Sequence, residues 1–89
     1  MFKPNVTVAC VIECQGEYLL VQETIKDNQV LNQPAGHLEE NESIIEAIER
    51  EVLEETGLAL TPDAWLGCQL YYPEEKNIAF FRVVFCKSF

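Results

Sequence analysis

Apolar and polar positions alternate over most of the chain with the short period of strands, and one segment alone carries the longer period of a helix. Thr7 to Glu13, rich in Val, Ile and Cys, predicts a strand. Gln15-Gly16-Glu17 predicts a turn, and Tyr18 to Thr24 predicts the second strand of a hairpin. Lys26-Asp27-Asn28 is turn-like, and Val30 to Gln33 predicts a short strand ended by Pro34. Further on, Leu58-Ala59-Leu60 predicts a brief strand and Thr61-Pro62-Asp63 a turn. Trp65 to Tyr72 predicts another strand, Pro73 to Asn77 a loop, and the apolar run Ile78 to Phe85, broken only by Arg82, a central or half-buried strand.

Between these strands, Ser43 to Thr56 contains neither Pro nor Gly. Ser43 with Glu46 three residues on matches a capping box, Asn41 is a rival cap, and Gly57 suits the position just past a helix end. Ile44, Ile48 and Val52 recur every fourth residue with Ile45 beside them, which predicts a stripe facing a core. A mixed sheet with one helix packed on it follows, an α/β or α+β class in a single domain over residues 1–89.

Charge adds a second signal. Residues 36–58 hold eight of the chain's 15 acidic side chains, and the net charge is −9. Glu51, Glu54 and Glu55 stand at i, i+3 and i+4, so their carboxylates meet on one helix face beside the apolar stripe. Ala47, one turn before Glu51, leaves room there for a metal and a phosphate. Crowded carboxylates suit a hard divalent cation, Mg2+ or Mn2+, which keeps positions open for substrate phosphates. The expected site is therefore a metal-assisted phosphoryl or pyrophosphoryl site. Arg50 can orient the carboxylates by charge-assisted bonds, and Gly36, in a loop before the helix, lets backbone approach a ligand closely.

An acidic helix face is ordinarily just solvated, but here the spacing is specific. Gly36, Glu42, Arg50, Glu51, Val52, Glu54, Glu55, Gly57 and Leu58 fill all nine specified positions of G-x5-E-x7-R-E-U-x-E-E-x-G-U. That motif is the Nudix box, and the chain resembles the Nudix hydrolase family. Met1 to Pro4, Val6 to Cys10, Glu23 to Ile25 and Asn32 to Glu39 extend the likeness over nearly the whole chain, toward a bacterial phosphatase branch.

The resemblance implies an N-terminal portion of an α/β/α sandwich, with the second covering helix absent and an uncovered sheet face prone to self-association. It implies metal ligation by Gly36, Glu51, Glu54 and Glu55, orientation by Arg50, structural support from Glu42 and Gly57, and Glu54 as the base within the box. The base can also lie outside the box in this family. Implied substrates are nucleoside tri- and diphosphates and thiamin-type pyrophosphates such as hydroxymethylpyrimidine pyrophosphate, with release of phosphate. Two alternatives stand beside this: a weakly active or inactive metal-binding module, or a nucleotide-sugar or ADP-ribose pyrophosphatase.

Outside the box the readings are less sharp. Arg82 suits either substrate phosphate or an outward-facing strand position, and Trp65, Tyr71 and Tyr72 suit either core packing or stacking on a ring. Cys10, Cys14, Cys68 and Cys86 lack zinc spacing and read as buried cytosolic thiols. The acidic balance argues against nucleic-acid polymers and anionic membranes, and the absence of a long apolar run points to a cytoplasmic protein.

Overall fold

The computed structural model describes residues 1–73 and 78–89. Its elements in chain order are β1 (Asn5–Cys14), β2 (Glu17–Tyr18), β3 (Val21–Ile25), β4 (Asn28–Asn32), β5 (Ala35–His37), α1 (Ile44–Thr56), β6 (Ala64–Tyr71) and β7 (Phe80–Ser88). A mixed five-stranded sheet has β1 and β7 at its centre, paired in parallel, with β6 antiparallel outside β7. On the other edge of β1, β2 pairs with the C-terminal half and β5 with the N-terminal half, both antiparallel. The expected α+β class is thus the observed one, with a single helix among the described residues.

That shared edge explains why the expected Tyr18–Thr24 strand breaks in two. Leu19 donates its N–H to the Ile12 carbonyl at 3.0 Å, but further along β1 the edge is taken: Cys10 donates to the Pro34 carbonyl and β5 pairs from Ala9 to Thr7. The chain therefore leaves the sheet and forms its own hairpin, β3 with β4. Lys26 and Asp27 both have positive φ, 50° and 66°, the geometry of a tight two-residue hairpin turn. Gly36, expected in a loop, lies instead in β5.

Alternation on the two central strands places the core. Val8, Cys10 and Ile12 of β1 and Val83 and Phe85 of β7 face α1, where they meet Ala47, Ile48 and Val52. Burying each such aliphatic side chain contributes about 1.5–3 kcal/mol. Two expectations about α1 change here. Ala47 is fully buried in this core and offers no space to a ligand, because α1 lies close over β1. Ile45 is exposed, since it sits on the flank of the stripe beyond the sheet's reach.

The ends of α1 match their sequence signals. Ser43 Oγ accepts from the Glu46 N–H at 3.0 Å, and Glu46 Oε1 accepts from the Ser43 N–H at 2.8 Å. At the other end Gly57, at φ 80°, donates its N–H to the Leu53 carbonyl. Ser43→Ala is expected to lower stability by about 1 kcal/mol, measured as a lower urea midpoint at unchanged slope.

After α1 the expected strand Leu58–Leu60 does not form. Among the described residues it pairs with no strand, and Leu60 packs against the core instead. Asp63 then anchors the connection: its N–H donates to the Cys86 carbonyl, and its carboxylate accepts from the Ser88 N–H at 2.8 Å and Lys87 Nζ at 3.0 Å. Those bonds, the Ser88 N–H first, hold Asp63 below the usual carboxylate range. The last strand begins at Phe80, not Ile78, and most of the expected loop Pro73–Asn77 lies outside the described residues.

Four side chains are not where packing arguments put them. Trp65 and Tyr72 are exposed, and so are Cys14 and Cys68. Trp65, Cys68 and Leu70 point to the helix side of β6, but α1 lies over β1 and β5 and does not reach that far. Cys10 alone is a fully buried thiol, and burial pushes it up to about 11. No helix among the described residues is long and apolar enough to cross a membrane.

Candidate active site

Arg50 organises the acidic surface at the junction of α1 and β5. Its Nε and Nη2 donate to the two carboxylate oxygens of Glu42 at 2.6 and 3.1 Å, a bidentate fork. Nη1 donates to Glu51 Oε1 at 2.7 Å and reaches Glu54 Oε1 at 3.4 Å, while Nη2 also donates to the His37 carbonyl at 3.0 Å. Glu39 stands 3.6 Å from Nε. Glu42 Oε1 in turn accepts from the Glu39 N–H at 3.0 Å, so the loop before α1 is stitched to the helix through one guanidinium. The bond to Arg50 holds Glu42 below the usual carboxylate range, and bonds to Glu42 and then Glu51 raise Arg50 still further above its already high value.

Gly36 meets this network from the sheet. It pairs with Val8 and so faces α1, where an added Cβ would overlap the Glu51 carboxylate carbon and both oxygens. Its φ is not positive, so the requirement is one of space: only a residue without a side chain lets this carboxylate lie against β5. Next door, the Ala35 N–H donates to Glu55 Oε2 at 3.3 Å. Burial pushes Glu55 up to about 7 against that bond, and the nearby Glu51 and Glu23 carboxylates add to the rise. Glu54 is the most open of the three, with 58% of its side chain exposed and one long bond to Arg50.

The structure therefore brings Gly36, Glu42, Arg50, Glu51, Glu54 and Glu55 together, and gives Gly57 its role as the helix stop. No three acidic, His or Cys side chains among the described residues converge on one point. Arg50 is the nearest counter-charge, and it draws Glu51 and Glu54 to itself. The donor set still fits a hard divalent cation. Glu51 and Glu55 crowd each other one turn apart, both lie against β5, and the backbone cradle at Gly36 excludes any side chain that would separate them.

Arg82 is not part of the Arg50 network. It lines a separate cleft with Thr7, Glu23, Asn32, His37 and Tyr71, bordered by Ala35 and Gly36. Sequence reasoning named Arg82 and Tyr71 but not Thr7, Glu23 and Asn32, whose place in the cleft depends on strand register and on the separate hairpin.

A glycine-floored acidic helix, tied by one Arg to the loop before it and resting on a mixed sheet, is the arrangement of a Nudix domain. The sequence profile of the NUDIX domain matches residues 1–87, and the chain belongs to this family. Phosphatase NudJ of Escherichia coli (strain K12) is 45% identical over 85 residues, which make up 96% of this chain and 55% of that protein. The chain thus spans about half the length of the curated relatives it matches. Among solved structures, a NUDIX hydrolase from Nitrosomonas europaea superposes with a TM-score of 0.89 at 47% identity, over 97% of this chain and 59% of that one. The fold also matches the NUDIX domain of Shewanella oneidensis NrtR, complexed with ADP ribose, with a TM-score of 0.81 at 18% identity, over 100% of this chain and 62% of that one. The sheet and single helix correspond to the N-terminal part of the Nudix fold. Nudix hydrolases generally use divalent metal ions such as Mg2+.

Proposed function

We propose that residues 1–89 are one domain portion of a divalent-metal-dependent phosphohydrolase, with its Nudix box at 36–58, acting on small pyrophosphates. The substrates proposed are nucleoside tri- and diphosphates and thiamin-type pyrophosphates such as hydroxymethylpyrimidine pyrophosphate, with phosphate released. The observation that carries this reading is the Glu51 carboxylate lying against Gly36, beside Glu54 and Glu55, with Arg50 holding the set in place.

Glu51, Glu54, Glu55 and the Gly36 carbonyl would hold Mg2+ or Mn2+. Bound there, the ion would supply charge neutralisation for a pyrophosphate and an acidified water. The protein's own part is mostly positioning, as expected where phosphoryl transfer needs little covalent help. Arg50 fixes the rotamers of Glu51 and Glu42 and leaves Glu54 the most freedom. Glu54, open to solvent at the edge of the site, takes the proton from the attacking water. Glu42 keeps the preceding loop closed on α1 through Arg50 and the Glu39 N–H. This network also restrains the Arg50 guanidinium from pairing with substrate, because four carboxylates and a carbonyl already surround it.

Phosphate release from a panel of nucleotides and thiamin-type pyrophosphates tests the reading. Release is expected with Mg2+ or Mn2+ and not with chelator present. Absence of metal-dependent release and of any Mg2+ or Mn2+ binding would sink it. Release of nucleoside monophosphate from a sugar nucleotide, and not phosphate from a triphosphate, would redirect it to a different substrate class.

A further inference from the structure

The five-stranded sheet ends differently on its two sides. On the β1 side its edge is made by β2, two residues long and holding Glu17, and by the three residues of β5. On the other side the edge is β6, eight residues long, whose one strand partner among the described residues is β7. An edge strand leaves a row of backbone N–H and C=O groups unpaired, and proteins ordinarily guard such rows with shortness, charge or proline. β6 has none of these guards: Ala64-Trp65-Leu66-Gly67-Cys68-Gln69-Leu70-Tyr71 contains no charged residue and no Pro. Its bulge lies near one end, between Trp65 and Gly67, and leaves Gly67 to Tyr71 in regular register with β7. Asp63, just before it, is turned back onto Lys87 and Ser88 of β7.

The side chains of β6 are as open as its backbone. Six of its eight residues are exposed, and Trp65, Leu66 and Leu70 are 61, 58 and 46% exposed. Trp65, Cys68 and Leu70 share the helix side of the sheet, but α1 lies over β1 and β5, so no helix layer covers β6. Three large apolar side chains on one uncharged edge make a patch of the kind that association covers.

We propose that β6 is the interface of a homodimer, pairing antiparallel with β6 of a second copy about a two-fold axis. An antiparallel edge is its own complement, because both copies offer the same N–H and C=O groups in reversed order. Charge selects a second copy as the occupant. The chain carries a net charge of −9, so two copies can meet only where that charge is remote. The acidic site lies against β5, which β1 and β7 separate from β6. Three strand spacings put it about 14 Å away, beyond a screening length of about 8 Å at physiological salt. A basic partner is drawn instead to the acidic helix, and not to this neutral strand. In the dimer two five-stranded sheets become one, with both α1 helices on the same face and Trp65 and Leu70 of each copy in the trough between them. Both acidic sites stand at the outer ends and stay open. The contact runs strand to strand, not sheet face to sheet face, and it does not depend on the metal reading of the acidic site.

Sedimentation velocity of the chain is expected to show a dimer at about 100 µM and a monomer at about 1 µM, as suits an interface near the low end of about 1,200 Å2. Leu66→Lys combined with Leu70→Lys sets like charges on the mating edge at positions that are exposed in the monomer. This double variant is expected to weaken the dimer at least about tenfold. Leu31→Lys, at an equally open leucine of the separate β3–β4 hairpin, is expected to leave association unchanged. Hydrogen exchange on the unaltered chain reads the same contact without any variant. The β6 amides are expected to exchange at least about twofold more slowly at about 100 µM than at about 1 µM, and those of the β3–β4 hairpin at the same rate in both. A monomer at every concentration would overturn the proposal. So would association that survives the double variant, or slowed exchange that appears in the hairpin and not in β6.

Discussion

Glu51→Gln is expected to lower pyrophosphate turnover by about a hundredfold or more, and the triple change with Glu54→Gln and Glu55→Gln to abolish it. Glutamine keeps the shape of each side chain and removes the charge that a divalent ion needs. The largest single effect is expected at Glu51 because it lies against Gly36 and also accepts from Arg50. A simple loss of folding can be separated from this effect. Glu51 and Glu55 are like charges one helical turn apart, which costs a few tenths of a kcal/mol without a cation. The triple variant relieves that repulsion but also weakens the bonds to Arg50, so the deciding readout is that only the parent gains stability when Mg2+ or Mn2+ is added. Glu40→Gln, which changes an exposed loop carboxylate outside these bonds, serves as the control and should behave like wild type. Full metal affinity and turnover in the triple variant would remove the metal site from this helix altogether.

Gly36→Ala is expected to lower turnover sharply while leaving the fold intact. The added carbon would occupy the space of the Glu51 carboxylate, so either β5 or the Glu51 side chain must move. β5 is held by its pairing with β1 from Thr7 to Ala9, so the carboxylate is the part that yields. Displacing it also breaks its bond to Arg50. A fall in turnover of about a hundredfold follows, with weaker metal binding. The thermal transition should move by only a few degrees, because Gly36 contributes no side chain to the core. Wild-type activity in this variant would show that the Glu51–Gly36 contact is incidental. The complementary change Gly67→Ala, at a glycine where an added Cβ would meet nothing within 4 Å, should be tolerated on the same scale.

The acidic site was legible in the sequence because its geometry is local. Glu42, Arg50, Glu51, Glu54 and Glu55 lie within one loop and one helix, and helical spacing alone brings the last four together. The capping box at Ser43 and the stop at Gly57 were legible for the same reason. What escaped was set by strands that meet across long separations. Thr7 reads as one more β-branched strand residue until its register with His37 and Arg82 is known. The break after Tyr18 depends on β5 occupying the edge that Leu20 would otherwise continue along, which no pattern within residues 18–24 reports. Trp65 and Tyr72 carry aromatic rings in or beside a strand, which suit core packing or ring stacking alike. Their exposure follows from the reach of α1, which covers β1 and not β6.

Strands β1 and β7 run side by side in unbroken register from Asn5 opposite Phe80 to Glu13 opposite Ser88. Odd numbers on one ribbon and even numbers on the other share the face turned from α1, and their immediate neighbours serve the packed interior. Point changes on the outer face can thus be made without loosening the interior, since each letter belongs to one layer. A single inserted or deleted letter in either ribbon reverses every assignment beyond it, and would turn Arg82 inward as it turned Val83 out.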